Sequence, residues 1–302
     1  MKKLLFSFIF IIIGYCVVDR LGGMTMWWVN QHTNDKWGPK IKYLVNEVRE
    51  DVVLIGTSRC NFHYVPSIIS DTLNMSVYNG GIDASDNIFS HYIILNHILS
   101  HHIPKIICLE VMENDYTQQK DPYTSIAFFA PYLGLNSKAD SVFMESGSYY
   151  LYCFSHLYRY NSKAVSNITG LTYKKTQTDN GYFPAPSPLV FPQKLEKETA
   201  SSEIDNKKIA YIQRFINLCR ENSLKLIFVV SPRYTIVNSN HYDTIKKIAQ
   251  ENDIPFMDYH TTGLFLNHPE YFQDKAHLWD KGARLYSMIF ARDLKRILMS
   301  IN

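Results

Sequence analysis

Short apolar runs alternate with amphipathic stretches along most of this chain. The runs are Val52–Ile55, Ser76–Tyr78, Lys105–Val111, Leu226–Val230 and Pro255–Met257. Each is continuous rather than alternating, as expected of parallel strands covered on both faces. Between them, apolar residues recur at helical spacing in Pro39–Arg49, Pro66–Leu73, Asp86–His101, Asn206–Asn222, His241–Glu251 and Lys281–Met299. This rhythm predicts an α/β fold: a doubly wound, flavodoxin-like parallel sheet of about five strands in a three-layer α/β/α sandwich.

Two stretches break the rhythm. The first is an uninterrupted apolar run from Leu4 to Val18, preceded by Lys2 and Lys3 and ended by Asp19 and Arg20. At about 1.5 Å per residue it spans roughly 22 Å, short of a hydrocarbon core of about 30 Å. No small-residue cleavage motif follows, bulky Tyr15 precedes Cys16, and Trp27 and Trp28 sit where an interfacial anchor would. Residues 1–28 are therefore expected to be a membrane anchor, or else a cleaved signal segment. Either way residues 36–302 form the main domain on the extracytoplasmic side. The second stretch is 116–202, rich in Tyr and Phe and carrying the proline-rich run 184–192. It reads as a mostly helical or irregular insertion between the third and fourth strands, either a packed decoration or a lid over the strand ends.

Composition narrows the function classes. A net charge of +3 leaves no basic field for nucleic acid. The five cysteines at 16, 60, 108, 153 and 219 are odd in number and lack a C-x-x-C pair, which argues against a disulfide framework and a cysteine zinc site. His97 and His101 have a metal-compatible helical spacing, but no third ligand is placed with them. No metal and no cofactor is expected.

Two distant signals carry chemistry. In Val53-Leu-Ile-Gly-Thr-Ser-Arg59 an apolar strand ends at Gly56 and Ser58 opens the next helix. Free N–H groups and the dipole at a helix N-terminus stabilise negative charge, which suits a nucleophile whose attack creates an oxyanion. A plain helix cap would look the same. Far away, in Phe272-Gln-Asp-Lys-Ala-His-Leu278, Asp274 and His277 stand three residues apart before the last helix. That spacing lets a carboxylate hold Nδ1 and leaves Nε2 free to take a hydroxyl proton. Cys60, two residues past Ser58, is expected to point away from the strand end, and Asp280 to cap the last helix. Arg59 and Arg233 are candidates to bind an anionic substrate group, although Arg59 could equally pair with a local carboxylate.

Together, the strand-end G-x-S and the late D-x-x-H-L resemble the SGNH/GDSL hydrolase superfamily over about residues 51–115 and 224–299. Asn79-Gly-Gly81 resembles its glycine block and Met112-Glu-Asn-Asp115 its G-x-N-D block. The resemblance implies a catalytic triad of Ser58, Asp274 and His277. It also implies an oxyanion hole from the Ser58 N–H, the Gly81 N–H and the Asn114 side chain. The chain departs from the pattern in reading GTSR instead of GDSL and in placing Met112 where the third block has glycine. Its plan of short anchor, GTSR, long insertion and late D-x-x-H-L is similar to membrane-anchored bacterial envelope members. The expected activity is ester hydrolysis or acyl transfer on acyl groups, chiefly acetyl, of an extracytoplasmic glycan or envelope polymer, or on another ester. Tyr149, Tyr150, Tyr152, Tyr158 and Tyr160 could line a groove for sugar faces or pack the insertion. The alternative function is a catalytically silent glycan-binding or scaffold partner of a membrane acyltransferase.

Overall fold

The computed structural model describes residues 2–185, 187–188, 203–236, 241–260 and 262–301. Its strands β1 (Val52–Ile55), β2 (Val77–Asn79), β3 (Ile106–Glu110), β4 (Lys225–Val230) and β5 (Phe256–Asp258) form one parallel sheet in the order β2-β1-β3-β4-β5. Val52 pairs with both Val77 and Ile106, and Val229 with Met257. The expected three-layer α/β/α architecture is therefore present.

The helices are α1 (Lys2–His32), α2 (Gly38–Asn46), α3 (Ser58–His63), α4 (Pro66–Leu73), α5 (Ile88–Leu99), α6 (Ser137–Ser146), α7 (Tyr149–Phe154), α8 (Ala164–Gly170), α9 (Asn206–Glu221), α10 (Asp243–Glu251), α11 (Gly263–Leu266) and α12 (Asp280–Ile301). Successive strand side chains point to opposite faces. Val53, Ile55, Ile107 and Leu109 pack with α2, α5 and α9, whereas Val52, Leu54, Ile106 and Cys108 pack with α4 and α12. Burial on both faces is the reason the strands read as continuous apolar runs.

The connection between β3 and β4 carries α6, α7, α8 and α9. Its Phe129, Tyr132, Val142 and Phe143 join the core on the α5 side. Most of the proline-rich run 184–192 lies outside the described residues. α1 is longer than the apolar run suggested. It continues without a break past Asp19 and Arg20 to His32, and its last turns pack on α2 and α8. Asp19 does not end the helix because the insertion absorbs its charge. Its carboxylate accepts from the backbone N–H of His156 at 2.8 Å and of Leu157 at 3.3 Å, and from the Ser155 hydroxyl.

Candidate active site

β1 delivers its carboxyl end at Ile55. Gly56 follows where a Cβ would lie 2.7 Å from both Cys60 Cβ and Glu110 Cβ, so only glycine lets the chain pass there. Thr57 then precedes α3, and Ser58 is the first helical residue. It stands where backbone N–H groups lack intrahelical acceptors.

The histidine comes from the loop between the 3₁₀ turn 269–271 and α12. Phe272 and Leu278 form an antiparallel bridge, and the Gln273 N–H donates to the His277 carbonyl at 2.8 Å. Inside this loop Asp274 Oδ1 accepts from the N–H groups of Ala276 at 2.8 Å and His277 at 2.9 Å. The carboxylate shapes the turn and holds the ring at once: His277 Nδ1 lies 2.9 Å from Asp274 Oδ2, and His277 Nε2 lies 2.8 Å from Ser58 Oγ. Burial pushes the Asp274 carboxyl up, but the His277 contact and the two N–H donors outweigh it and hold the group below its ordinary value. Phe62 meets the His277 ring edge to face, with centroids 5.3 Å apart.

The structure thus brings together Ser58, His277 and Asp274 from segments more than two hundred residues apart. The other expected residues fare differently. The Gly81 N–H donates to Asn79 Oδ1 at 3.0 Å, and the glycine is pressed against the Cys60–Asn61 backbone. It has no N–H to offer an oxyanion, so that expectation is corrected. Three residues on, Ala84 adopts a left-handed conformation with φ of 60° and is exposed. Its turn is pinned to the segment carrying Ser58 by the Ile82 N–H donating to the Gly56 carbonyl at 3.1 Å and by Asn61 Nδ2 donating to Asp83 Oδ1 at 3.0 Å. Among the described residues the Ala84 N–H has no acceptor. Asn114 follows β3 in the 3₁₀ turn 113–115, half-buried, and no side-chain hydrogen bond engages it among the described residues. Met112, the departure from glycine, accepts a hydrogen bond at Sδ from the Thr57 hydroxyl.

Arg59 is not available to a substrate. It is 1% exposed, donates to the Val111 carbonyl at 2.8 Å and lies 3.4 Å from Glu110 Oε1. The local ion pair is the role it plays. Arg233 is half-buried in the loop after β4, next to Tyr234, whose N–H donates to the Lys275 carbonyl in the His277 loop at 2.9 Å. Cys60 is buried, and burial raises its thiol well above the ordinary value. The five tyrosines named above do not gather at the strand ends. Tyr149 and Tyr152 pack against the α5 side of the core, Tyr160 is buried with Met26 and Val29 of α1, and Tyr150 and Tyr158 are exposed.

Beneath the triad runs a buried chain that sequence reading missed. The Leu278 N–H donates to His63 Nε2 at 3.0 Å, His63 Nδ1–H donates to Ser231 Oγ at 2.7 Å, and the Ser231 hydroxyl donates to Glu110 Oε1 at 2.7 Å. Tyr64 donates to the other Glu110 oxygen. Each donor is consistent with the next acceptor, which fixes His63 as the neutral Nδ1–H tautomer. Burial, then the neighbouring His277 and Arg59, lower its basicity in agreement. Glu110 is raised above the usual carboxylate range by burial, against the pull of Arg59, Tyr64 and Ser231. The one sequence signal was a carboxylate closing an otherwise apolar strand.

No family model matches this chain, and no curated protein does. In the solved structures it is similar to a Bacteroides fragilis protein assigned to the acylhydrolases, at 12% identity over 86% of this chain and 97% of that one, with a TM-score of 0.38. It is also similar to an acetyl xylan esterase, at 15% identity over 80% and 98%, with a TM-score of 0.41. Both likenesses are loose, and the functional reading rests on the site itself.

Proposed function

We propose that this chain is a membrane-anchored, SGNH/GDSL-type serine esterase or acyltransferase, with Ser58 as nucleophile, His277 as general base and Asp274 as the group that orients it. One observation carries this: the unbroken Ser58 Oγ to His277 Nε2 to Asp274 array at the carboxyl end of a parallel sheet, with its hydroxyl at a helix N-terminus. His277 takes the hydroxyl proton as Ser58 attacks the ester carbonyl, and returns it to the leaving alcohol. The developing oxyanion would be met by the Ser58 N–H, the Asn114 carboxamide and, in place of Gly81, the Ala84 N–H. Water or an acceptor hydroxyl then resolves the acyl-serine.

The substrate we favour is an ester-linked acyl group, such as acetyl, on an extracytoplasmic glycan. A polar groove of about 860 Å³ supports it. Asn30, Gln31, Tyr43, Gln177, Thr178 and Phe183 are among its lining residues, and it includes Lys36 and Lys40, which touch Asp83 and Asn61 beside the site. Amide and hydroxyl groups interleaved with rings suit sugars.

The test is covalent labelling of the full chain by a fluorophosphonate, with Ser58→Ala as control. Labelling confined to Ser58, together with acetate release from acetylated oligosaccharides, supports the reading. A folded, unlabelled protein would leave the silent scaffold reading in its place. Turnover of micellar lipid esters alone would overturn the glycan assignment.

A further inference from the structure

We propose that α7 and α8 of the insertion are seated in the outer leaflet of the membrane that α1 crosses, so that the protein is held by an apolar collar as well as by one helix. The inference rests on the anchoring role of α1 and extends it.

The apolar run Leu4–Val18 is about 22 Å long, too short for a hydrocarbon core of about 30 Å. Asp19 and Arg20 would ordinarily stop it from sinking further. Here Asp19 is 3% exposed, closed off by Ser155, His156 and Leu157 of the insertion and by Arg20. Arg20, half-exposed, also donates to the Phe154 carbonyl at 3.2 Å. With that charge taken inside protein, the outward face of α1 stays apolar through Leu21, Met24 and Trp28. From Leu4 to Trp27 the helix measures about 36 Å, enough to cross and to bring the tryptophan pair to the interface.

The partner that closes Asp19 is itself apolar on its outside. None of the α7 residues is buried. Tyr150 is 80% exposed, Phe154 66% and Val165 of α8 77%, and Leu151 and Ile168 are exposed as well. In water such a face would be costly. It is continuous with the exposed apolar face of α1: the rings of Tyr15 and Phe154 stack with centroids 6.2 Å apart. Any bilayer that surrounds Tyr15 therefore also meets Phe154. Past α8 the chain turns from exposed Leu171 and Tyr173 to Lys174 and Lys175, the aromatic-then-basic order of a membrane border. Lipid is thus the occupant that the patch and α1 share, and a second copy of the chain is the rival.

The experiment uses the full chain in vesicles of phosphatidylcholine and phosphatidylglycerol. Nitroxide labels are placed by Tyr150→Cys, Phe10→Cys or Lys247→Cys, each in a background of Cys16→Ser and Cys153→Ser, since the other three cysteines are buried. Collisions with oxygen, which enters lipid, are compared with collisions with a nickel chelate, which stays in water. The Phe10 label reports on the anchor, and Lys247, 75% exposed on α10, marks the aqueous side. A Tyr150 label that favours oxygen as the Phe10 label does, with Lys247 favouring nickel, supports the collar. Phe10 in lipid with Tyr150 as aqueous as Lys247 overturns the collar and leaves the anchor standing. Phe10 in water overturns the anchor itself. A Tyr150 label shielded from both reagents and broadened by a neighbouring spin would assign the patch to a second copy and also overturn the proposal.

Discussion

Ser58, His277 and Asp274 form a single hydrogen-bonded array, so removing either end of the proton path should abolish its use. Ser58→Ala or His277→Ala is expected to lower turnover of a small acyl ester by several orders of magnitude, and Asp274→Asn nearly as much through the wrong tautomer. Near wild-type turnover in Ser58→Ala would refute the assignment. Asn114→Ala should cost on the order of 10² to 10³ in kcat with KM little changed. An effect mainly on KM would make Asn114 a binding residue instead. The candidate oxyanion donors also show what one residue's letter hides. Glycine at 81 announced a special backbone position, but its N–H is spent on Asn79, while Ala84 takes the left-handed conformation without a glycine to advertise it. Which N–H is free depends on tertiary hydrogen bonding, and no sequence spacing encodes that.

A second residue-scale prediction concerns Lys40. It is buried, and its amine donates to Asn61 Oδ1 at 2.8 Å and to the Gly181 carbonyl at 2.7 Å. Burial pulls its pKa down to about 7, Asp83 opposing and Lys36 assisting. An unfolded lysine titrates near 10.4, so above pH 7 the unfolded chain holds a proton that the folded chain does not. Stability should therefore rise with pH from about 7, and below that the full penalty of a buried charge is present. Lys163, lowered to about 8 by burial, joins the trend higher up. Denaturant midpoints at a series of pH values should climb between pH 7 and 8 in the wild type and stay flatter in Lys40→Met. Equal slopes in the two proteins would refute the role of Lys40.

At the scale of elements, the loop 272–278 is held by what lies under it. Its Leu278 N–H is the first link of the chain through His63 and Ser231 to Glu110, so α3, β3 and β4 all brace the segment that presents His277. His63→Leu leaves the Leu278 N–H and the Ser231 hydroxyl without their ring partner. A loss of about 1–3 kcal/mol in stability is expected, read from denaturant unfolding, with kcat lowered more than KM. His63→Leu at wild-type stability would show that the chain braces nothing. The five strands were legible because burial on both faces writes a continuous apolar run. Helices such as Pro66–Leu73 and Asn206–Glu221 were legible because one face only is buried. The insertion's elements were not, since its short helices bury scattered residues against several partners at once.

At the scale of the molecule, the extent of the first helix is the main point on which sequence and structure part. Asp19 and Arg20 look like the end of a membrane segment, and only the distant Ser155–Leu157 turn explains why the helix continues. Residues 19–33 pack on the insertion: Met26 and Val29 pack with Tyr160, and Asn30 Nδ2 donates to the Tyr132 hydroxyl at 3.2 Å. A chain beginning at residue 36 should therefore melt lower and aggregate more readily than one beginning at residue 19, in a comparison of thermal unfolding and light scattering. Equal behaviour would mean that α1 packs on the insertion without supporting it.

Only the connector from His32 to Lys36 separates the end of α1 from the rim of the Ser58–His277 site. Lys36 Nζ pairs with Asp83 at 2.7 Å and sits 5.6 Å above the ring of Phe62, the same ring that abuts His277. Four residues of chain reach at most about 14 Å. On the anchoring proposed above, with the tryptophan pair at the interface, Ser58 lies at most on the order of 30 Å above the lipid. Under the proposed function, substrate choice is then partly a matter of altitude: an ester within that layer would be met again and again by the same tethered serine, and one that stays beyond it would never be met, whatever its chemistry.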